Sequence, residues 1–153
     1  MKLPTFVSAA MAVSVLFSME IVASPEVHAA NQVTCYGDYC SGRDAEKTHC
    51  ADDAITVMHR TDEYASLQVR WSPTCKTNWA RLIVYSQGNF GTYPYGLLEA
   101  AQDTGYTQNY TVPFTAGDPA IYWTPMIYSP EHRVRATFYG RGWKWDYIST
   151  DWA

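Results

Sequence analysis

The cysteines are the residues whose number and spacing say most about chemistry in this 153-residue chain. They are Cys35, Cys40, Cys50 and Cys75, and an even count fits two disulfides whose pairing stays open. None of the gaps between them is the short paired spacing of a zinc ribbon, although a zinc site built from these thiolates is the alternative. We therefore predict two disulfides, no metal and no cofactor.

Catalysis would need a nucleophile beside a base, or two carboxylates with different pKa values. The candidate bases outside the N-terminal leader are His49, His59 and His132, and none lies in a nucleophile-elbow motif or at metal-binding helical spacing. Asp52 and Asp53 are adjacent and would point to opposite faces of a strand. The sequence favours a protein without catalytic residues, and a small hydrolase using His59 or His132 with an acidic partner is the alternative.

Aromatic side chains are abundant, with 12 Tyr and 6 Trp. Rings on a rigid sheet can stack on sugars or receive a peptide. Trp143, Trp145 and Tyr147 alternate along the last predicted strand and share one face, while Tyr93 and Tyr95 flank a proline in a bend. We predict these five residues as binding residues for a glycan, a cell-wall polymer or a protein, and filling of the core is the alternative for the first three.

Two arginines and the net charge of the chain indicate which kinds of partner the protein can bind. Arg70 and Arg81 could bind a ligand, but we expect them to pair with carboxylates of the acidic segment 35–53. The formal net charge of −4 argues against binding to nucleic acid and to an anionic membrane.

The N-terminus resembles a secretory signal. Lys2 precedes an uncharged apolar run, 6–19, that is too short to span a bilayer, and 27–29 supplies a small residue at the cleavage position. We predict cleavage after Ala29, a single secreted domain over residues 30–153, and no membrane contact after cleavage. An uncleaved anchor is the alternative.

The remaining pattern is that of short strands. Alternating or β-branched stretches predict about seven strands, at 54–59, 66–71, 79–85, 106–112, 121–128, 133–139 and 143–148. Residues 97–102 are the single helix-like stretch. The predicted fold is all-β, a small single-domain β-sandwich or barrel of antiparallel strands with a disulfide-bridged N-terminal loop region.

A family resemblance rests on several motifs. They are the cysteine pattern C-x-G-x-x-C-x-G-x-D beginning at Cys35, the stretch 69–72 before Cys75, the Trp-Ala-Arg triplet 79–81, the stretch 124–129 and the triplet 134–136. Ala45 departs from a proline that is frequent in the group. The chain resembles the YjfA-like family of small secreted bacterial domains of unknown function, found in actinomycetes and bacilli. The resemblance implies export and a shared fold, and it implies no activity.

Together these features predict a secreted, non-catalytic binding domain that acts outside the cell or at its surface. Besides the hydrolase, a secreted inhibitor or toxin that uses the segment 86–96 is an alternative.

Overall fold

The computed structural model describes residues 32–85, 95–113, 120–140 and 147–153. Several of the predictions fall outside the described residues: the signal segment 1–29, residues 86–94 of the candidate inhibitory segment 86–96, Tyr93, Trp143, Trp145 and the side chain of Tyr95. Within the described part, no helix has the length and apolarity that a membrane crossing requires.

Two antiparallel sheets make up the described part, which confirms the all-β prediction. The strands are β1 (Ile55–Thr61), β2 (Ala65–Ser72), β3 (Thr77–Val84), β4 (Tyr95–Gln102), β5 (Thr107–Pro113), β6 (Ala120–Trp123), β7 (Ile127–Tyr128), β8 (Val134–Tyr139) and β9 (Ile148–Ser149). Sheet A has the order β1-β2-β3-β6, with β7 also paired to β3, and sheet B has the order β5-β4-β8-β9.

The nine observed strands differ from the predicted set at two places. The predicted strand 121–128 is split into β6 and β7, because the peptide N–H and the hydroxyl of Thr124 bond back to Ala80 and Pro125 has no N–H for a ladder. The helix-like prediction for 97–102 is wrong, because this stretch forms β4, which pairs with β5 on one side and β8 on the other.

The main core lies between the sheets. Its buried side chains come from alternate positions of the strands: Leu67, Val69, Ala80, Leu82 and Val84 from sheet A, and Leu98, Ala100, Val112, Val134, Ala136 and Phe138 from sheet B. The opposite face of sheet A, here called the outer face, carries Gln68 and Arg70 of β2 and Trp79 and Arg81 of β3.

A second, smaller core covers one end of that outer face. The disulfides Cys35–Cys40 and Cys50–Cys75 pack there with Trp79 and Met126. Cys75 lies in the β2–β3 turn, so the longer-range bridge joins the N-terminal segment to sheet A. All four sulfurs lie within 4.8 Å of one another, so the two bridges pack together.

Candidate functional site

The edge strand β6 separates two depressions that lie side by side. The first, here called the aromatic cavity, has a volume of about 270 Å³ and is lined by Gly42, Asp44, Tyr110, Ile121, Tyr122, Trp123 and Pro125. The second, here called the arginine cleft, has a volume of about 180 Å³ and is lined by Glu46, Ala51, Asp52, Arg70, Trp79, Arg81, Ile121 and Trp123. Ile121 and Trp123 border both, so a single ligand can contact the two depressions.

The aromatic cavity lies where the open edges of the two sheets meet. Tyr110 of β5 stacks on Tyr122 of β6, with ring centroids 6.1 Å apart and an interplanar angle of 28°. The Tyr122 hydroxyl donates to the Pro113 carbonyl at 3.2 Å, and burial, followed by the charge of Tyr110, raises the pKa of Tyr122. The Tyr122 hydroxyl therefore stays neutral near pH 7, and the two rings offer apolar faces on a fixed scaffold.

Asp44 brings a carboxylate to the same cavity. Its Oδ1 accepts the backbone N–H groups of Glu46 at 2.9 Å and Lys47 at 3.0 Å, which holds the carboxylate at the start of a turn. Its Oδ2 accepts the indole N–H of Trp123 at 3.3 Å. A carboxylate held beside aromatic rings can accept hydrogen bonds from hydroxyl groups of a bound molecule.

The N-terminal segment is fastened over this edge by backbone hydrogen bonds. Gly42 N–H donates to the Met126 carbonyl at 2.9 Å, and Met126 N–H donates to the Arg43 carbonyl at 2.9 Å. Gly42 has φ +77°, a conformation that a residue with a side chain adopts at a cost. The walls of both depressions that come from this segment are therefore held against β6.

The arginine cleft lies on the outer face of sheet A. Arg81 donates to Gln68 Oε1 through Nε at 2.9 Å and through Nη2 at 2.6 Å. Arg70 donates to the Thr56 hydroxyl at 2.8 Å and to the Ala54 carbonyl. Within the described residues no carboxylate forms a salt bridge with either guanidinium. From the acidic segment, Glu46 lines the cleft and its charge acts on both arginines through space.

The electrostatics of the cleft reflect two neighbouring positive charges. Burial, and then the charge of Arg70, lower the pKa of Arg81, while the charge of Glu46 opposes the change. Burial also lowers the pKa of Arg70, again against the effect of Glu46. Both groups remain charged at neutral pH, since free arginine titrates far above it.

A third depression concerns the hydrolase alternative. His132 borders an open hollow of about 220 Å³ that also contains Ser129, and its Nδ1 lies 3.3 Å from Asp103 Oδ1. The Ser129 hydroxyl donates to Asn78 Oδ1 at 2.5 Å, so its proton is directed away from the histidine. Asp103 also accepts the backbone N–H and Nε of Arg133, each at 3.3 Å, which makes it part of a turn.

The other two histidines have simpler surroundings. His59 is exposed on β1, and within the described residues it forms no ion pair with a carboxylate. His49 contacts Asp52 at 3.4 Å three residues along the same turn. In the described part of the chain, His132 therefore has a carboxylate partner, and the neighbouring Ser129 hydroxyl donates to Asn78.

Of the five binding residues predicted from sequence, Tyr147 alone has a described side chain. It is 56% exposed and its ring lies 5.4 Å from that of Tyr139, at an angle of 57°. It is therefore a surface residue just before β9, at the edge of sheet B opposite to β5.

Sequence reasoning missed the aromatic cavity. Tyr110 falls in the predicted strand 106–112, and Tyr122 and Trp123 fall in the predicted strand 121–128, but the pattern does not show that these strands meet. One signal was present in the sequence. Consecutive residues of a strand point to opposite faces, so Ile121, Tyr122 and Trp123 cannot all be buried on one side of a sheet.

These features define a small disulfide-bridged β-sandwich with a concave, aromatic and cationic surface along one edge. A family model described as a protein of unknown function, DUF2690, matches residues 38–137, about two thirds of the chain. The chain belongs to this family. No match was found among curated proteins or among solved structures.

Proposed function

We propose that this chain is a non-catalytic glycan-binding domain that works outside the cell. The observation that carries the proposal is the aromatic cavity, in which Tyr110, Tyr122 and Trp123 present rings around the Asp44 carboxylate. Sugar rings have apolar C–H faces and hydroxyl edges, so a site that combines aromatic faces with a fixed acceptor suits them. A cell-wall polysaccharide is the extracellular form of this ligand class.

The extracellular setting is supported by three features. Residues 1–29 have the pattern of a cleaved export signal, with cleavage after Ala29. Two disulfides persist best in an oxidising compartment. The sequence motifs further suggest that the chain belongs to a YjfA-like branch of exported proteins in actinomycetes and bacilli.

A glycan array followed by titration calorimetry of the glycans that bind tests the proposal. Tyr110→Ala removes one stacking ring from a partly exposed position and should weaken binding by about tenfold or more, because such rings are hot-spot residues. Tyr106→Ala is the matched control. Tyr106 immediately precedes β5, the strand that carries Tyr110, and it is 46% exposed but does not line the cavity. Equal binding by the two variants would contradict the proposal.

The sequence-predicted residues provide a further arm of the same experiment. Trp145→Ala and Tyr95→Ala should leave affinity unchanged if the aromatic cavity is the main site. A loss of binding in these two variants but not in Tyr110→Ala would place the binding site on the residues predicted from sequence. Binding to a protein partner with no response on the array would show that the ligand is a protein and not a glycan.

A further inference from the structure

The arginine cleft holds two like charges at neighbouring positions of one sheet face. In the β2–β3 register Gln68 faces Arg81 and Arg70 faces Trp79, so both guanidinium groups occupy the same outer face, two positions apart. Like charges in a partly desolvated cleft repel each other, and this repulsion costs free energy unless an anion offsets it. Glu46 and Asp52 border the cleft. Neither forms a salt bridge with an arginine in the described part of the chain, although the charge of Glu46 acts on Arg70 and Arg81.

Neutral partners hold the two arginines in place. The bonds from Arg81 go to the Gln68 amide oxygen, and those from Arg70 go to a hydroxyl and a backbone carbonyl. The Nε of Arg70 is buried without a hydrogen-bond partner among the described residues. The protein thus orients both side chains through neutral hydrogen-bond partners. Glu46 offsets part of their charge through space without a salt bridge, so both guanidinium groups keep donors that an oxyanion can use.

The cleft also adjoins the aromatic cavity, since Ile121 and Trp123 line both. We propose that the ligand is an acidic polysaccharide, with one sugar ring on the aromatic cavity and the oxyanion of the same or the next residue on Arg70 and Arg81. The oxyanion is a carboxylate of a uronic acid or a phosphate of a phosphodiester-linked polymer. This inference rests on the proposed glycan binding and specifies the charge class of its ligand.

Calorimetry with a matched pair of ligands tests the charge requirement. Oligogalacturonate and its methyl ester have the same rings, but the ester has no negative charge. The wild-type protein should bind the acid about tenfold or more tightly than the ester, and the preference should fall as salt is raised. Poly(glycerol phosphate) in a parallel titration shows whether phosphate replaces carboxylate.

Arg81→Gln is the decisive variant, because it removes a charge and keeps a polar side chain beside Gln68. It should weaken binding of the acid far more than binding of the ester and so remove most of the preference, because Arg70 alone is left to bind the oxyanion. Arg81→Lys, which keeps the charge without the planar fork, should retain part of the preference. Arg60→Gln on the exposed β1 strand is the control for a general loss of positive charge, and thermal melting verifies that each variant is folded.

The outcomes separate this inference from the function on which it rests. Equal binding of acid and ester, both lost in Tyr110→Ala, would keep the glycan-binding function and overturn the acidic ligand. An acid preference that is undiminished in Arg81→Gln would also overturn it. Failure of both ligands and of poly(glycerol phosphate) to bind overturns the inference, and the glycan array then decides whether glycan binding itself stands.

Discussion

Asp53 shows how a single carboxylate can hold a turn of this protein. Its Oδ1 accepts the Ser72 hydroxyl at 2.6 Å and its Oδ2 accepts the Thr74 N–H at 2.9 Å. These bonds join the end of the N-terminal segment to the turn that contains Cys75. Partial burial alone would raise the pKa of Asp53, but the hydrogen bonds from Ser72 and Thr74 outweigh it and hold the pKa below its usual value of 3.8.

The lowered pKa of Asp53 predicts an acid-sensitive contribution to stability. A carboxyl whose pKa is lower in the folded state stabilises that state above the pKa of the unfolded chain, and this effect is lost as the pH falls through the folded-state pKa. Asp53→Asn should therefore cost about 1 kcal/mol at pH 7, a modest value because solvent reaches the group, and nothing below about pH 2. Urea unfolding at several pH values measures this difference.

The control for that experiment is Asp151→Asn, an exposed residue near the C-terminus. This variant should follow the wild-type pH profile. A constant difference between Asp53→Asn and the wild type from pH 7 to about pH 2 would show that the carboxylate charge of Asp53 has no role.

At the scale of elements, β4 is where local preference and tertiary structure disagree. Leucine, glutamate and alanine favour helices, and residues 97–102 contain little else. The stretch is barely long enough for a stable helix, whereas as a strand it forms ladders with both β5 and β8. Ala100 is fully buried at the centre of sheet B, where a small side chain fits against the facing sheet.

Neighbouring leucines in β4 provide a direct test of this assignment. Leu98 is fully buried and Leu97 is 37% exposed, because consecutive residues of a strand point to opposite faces. Leu98→Ala should cost about 2–5 kcal/mol and Leu97→Ala less than about 1 kcal/mol in the free energy of unfolding. Similar losses in chemical denaturation would contradict the strand assignment of this stretch.

At the scale of the whole molecule, the described residues form two parts, the pair of sheets and the N-terminal segment, that differ in how they are stabilised. The two sheets bury an apolar core, whereas the N-terminal segment has only a small second core built around its sulfurs. The bridge Cys50–Cys75 closes a much longer loop than Cys35–Cys40, with sequence separations of 25 and 5. A longer closed loop restricts the unfolded chain more, so the two bridges should contribute unequally.

Replacing each pair of cysteines by serine measures this difference. Removing Cys50–Cys75 should cost about 3–4 kcal/mol, and removing Cys35–Cys40 about 2 kcal/mol, as read from denaturation midpoints. The first change should also weaken the proposed glycan binding, because the wall of both depressions would lose its covalent attachment to sheet A. A larger loss from the short bridge would contradict the loop-length argument.

Several features of the fold could be read from the sequence. The alternation of Leu67 and Val69 with polar residues predicted β2 and its buried face, and the same reasoning succeeded for Val134, Ala136 and Phe138 in β8. The cysteine count predicted two bridges. These features depend on local periodicity or on simple chemistry, which one chain records directly.

The remaining features depended on which strands became neighbours. They are contacts between residues distant in sequence: the bridge Cys50–Cys75, the pairing of 97–102 with β8, and the stacking of Tyr110 on Tyr122. Arg70 and Arg81 appeared separately as single basic residues, and only the β2–β3 register placed them in one cleft. Sequence periodicity indicates which face of a strand a side chain occupies, whereas the tertiary structure decides which other side chains share that face, because that choice minimises the free energy of the whole chain.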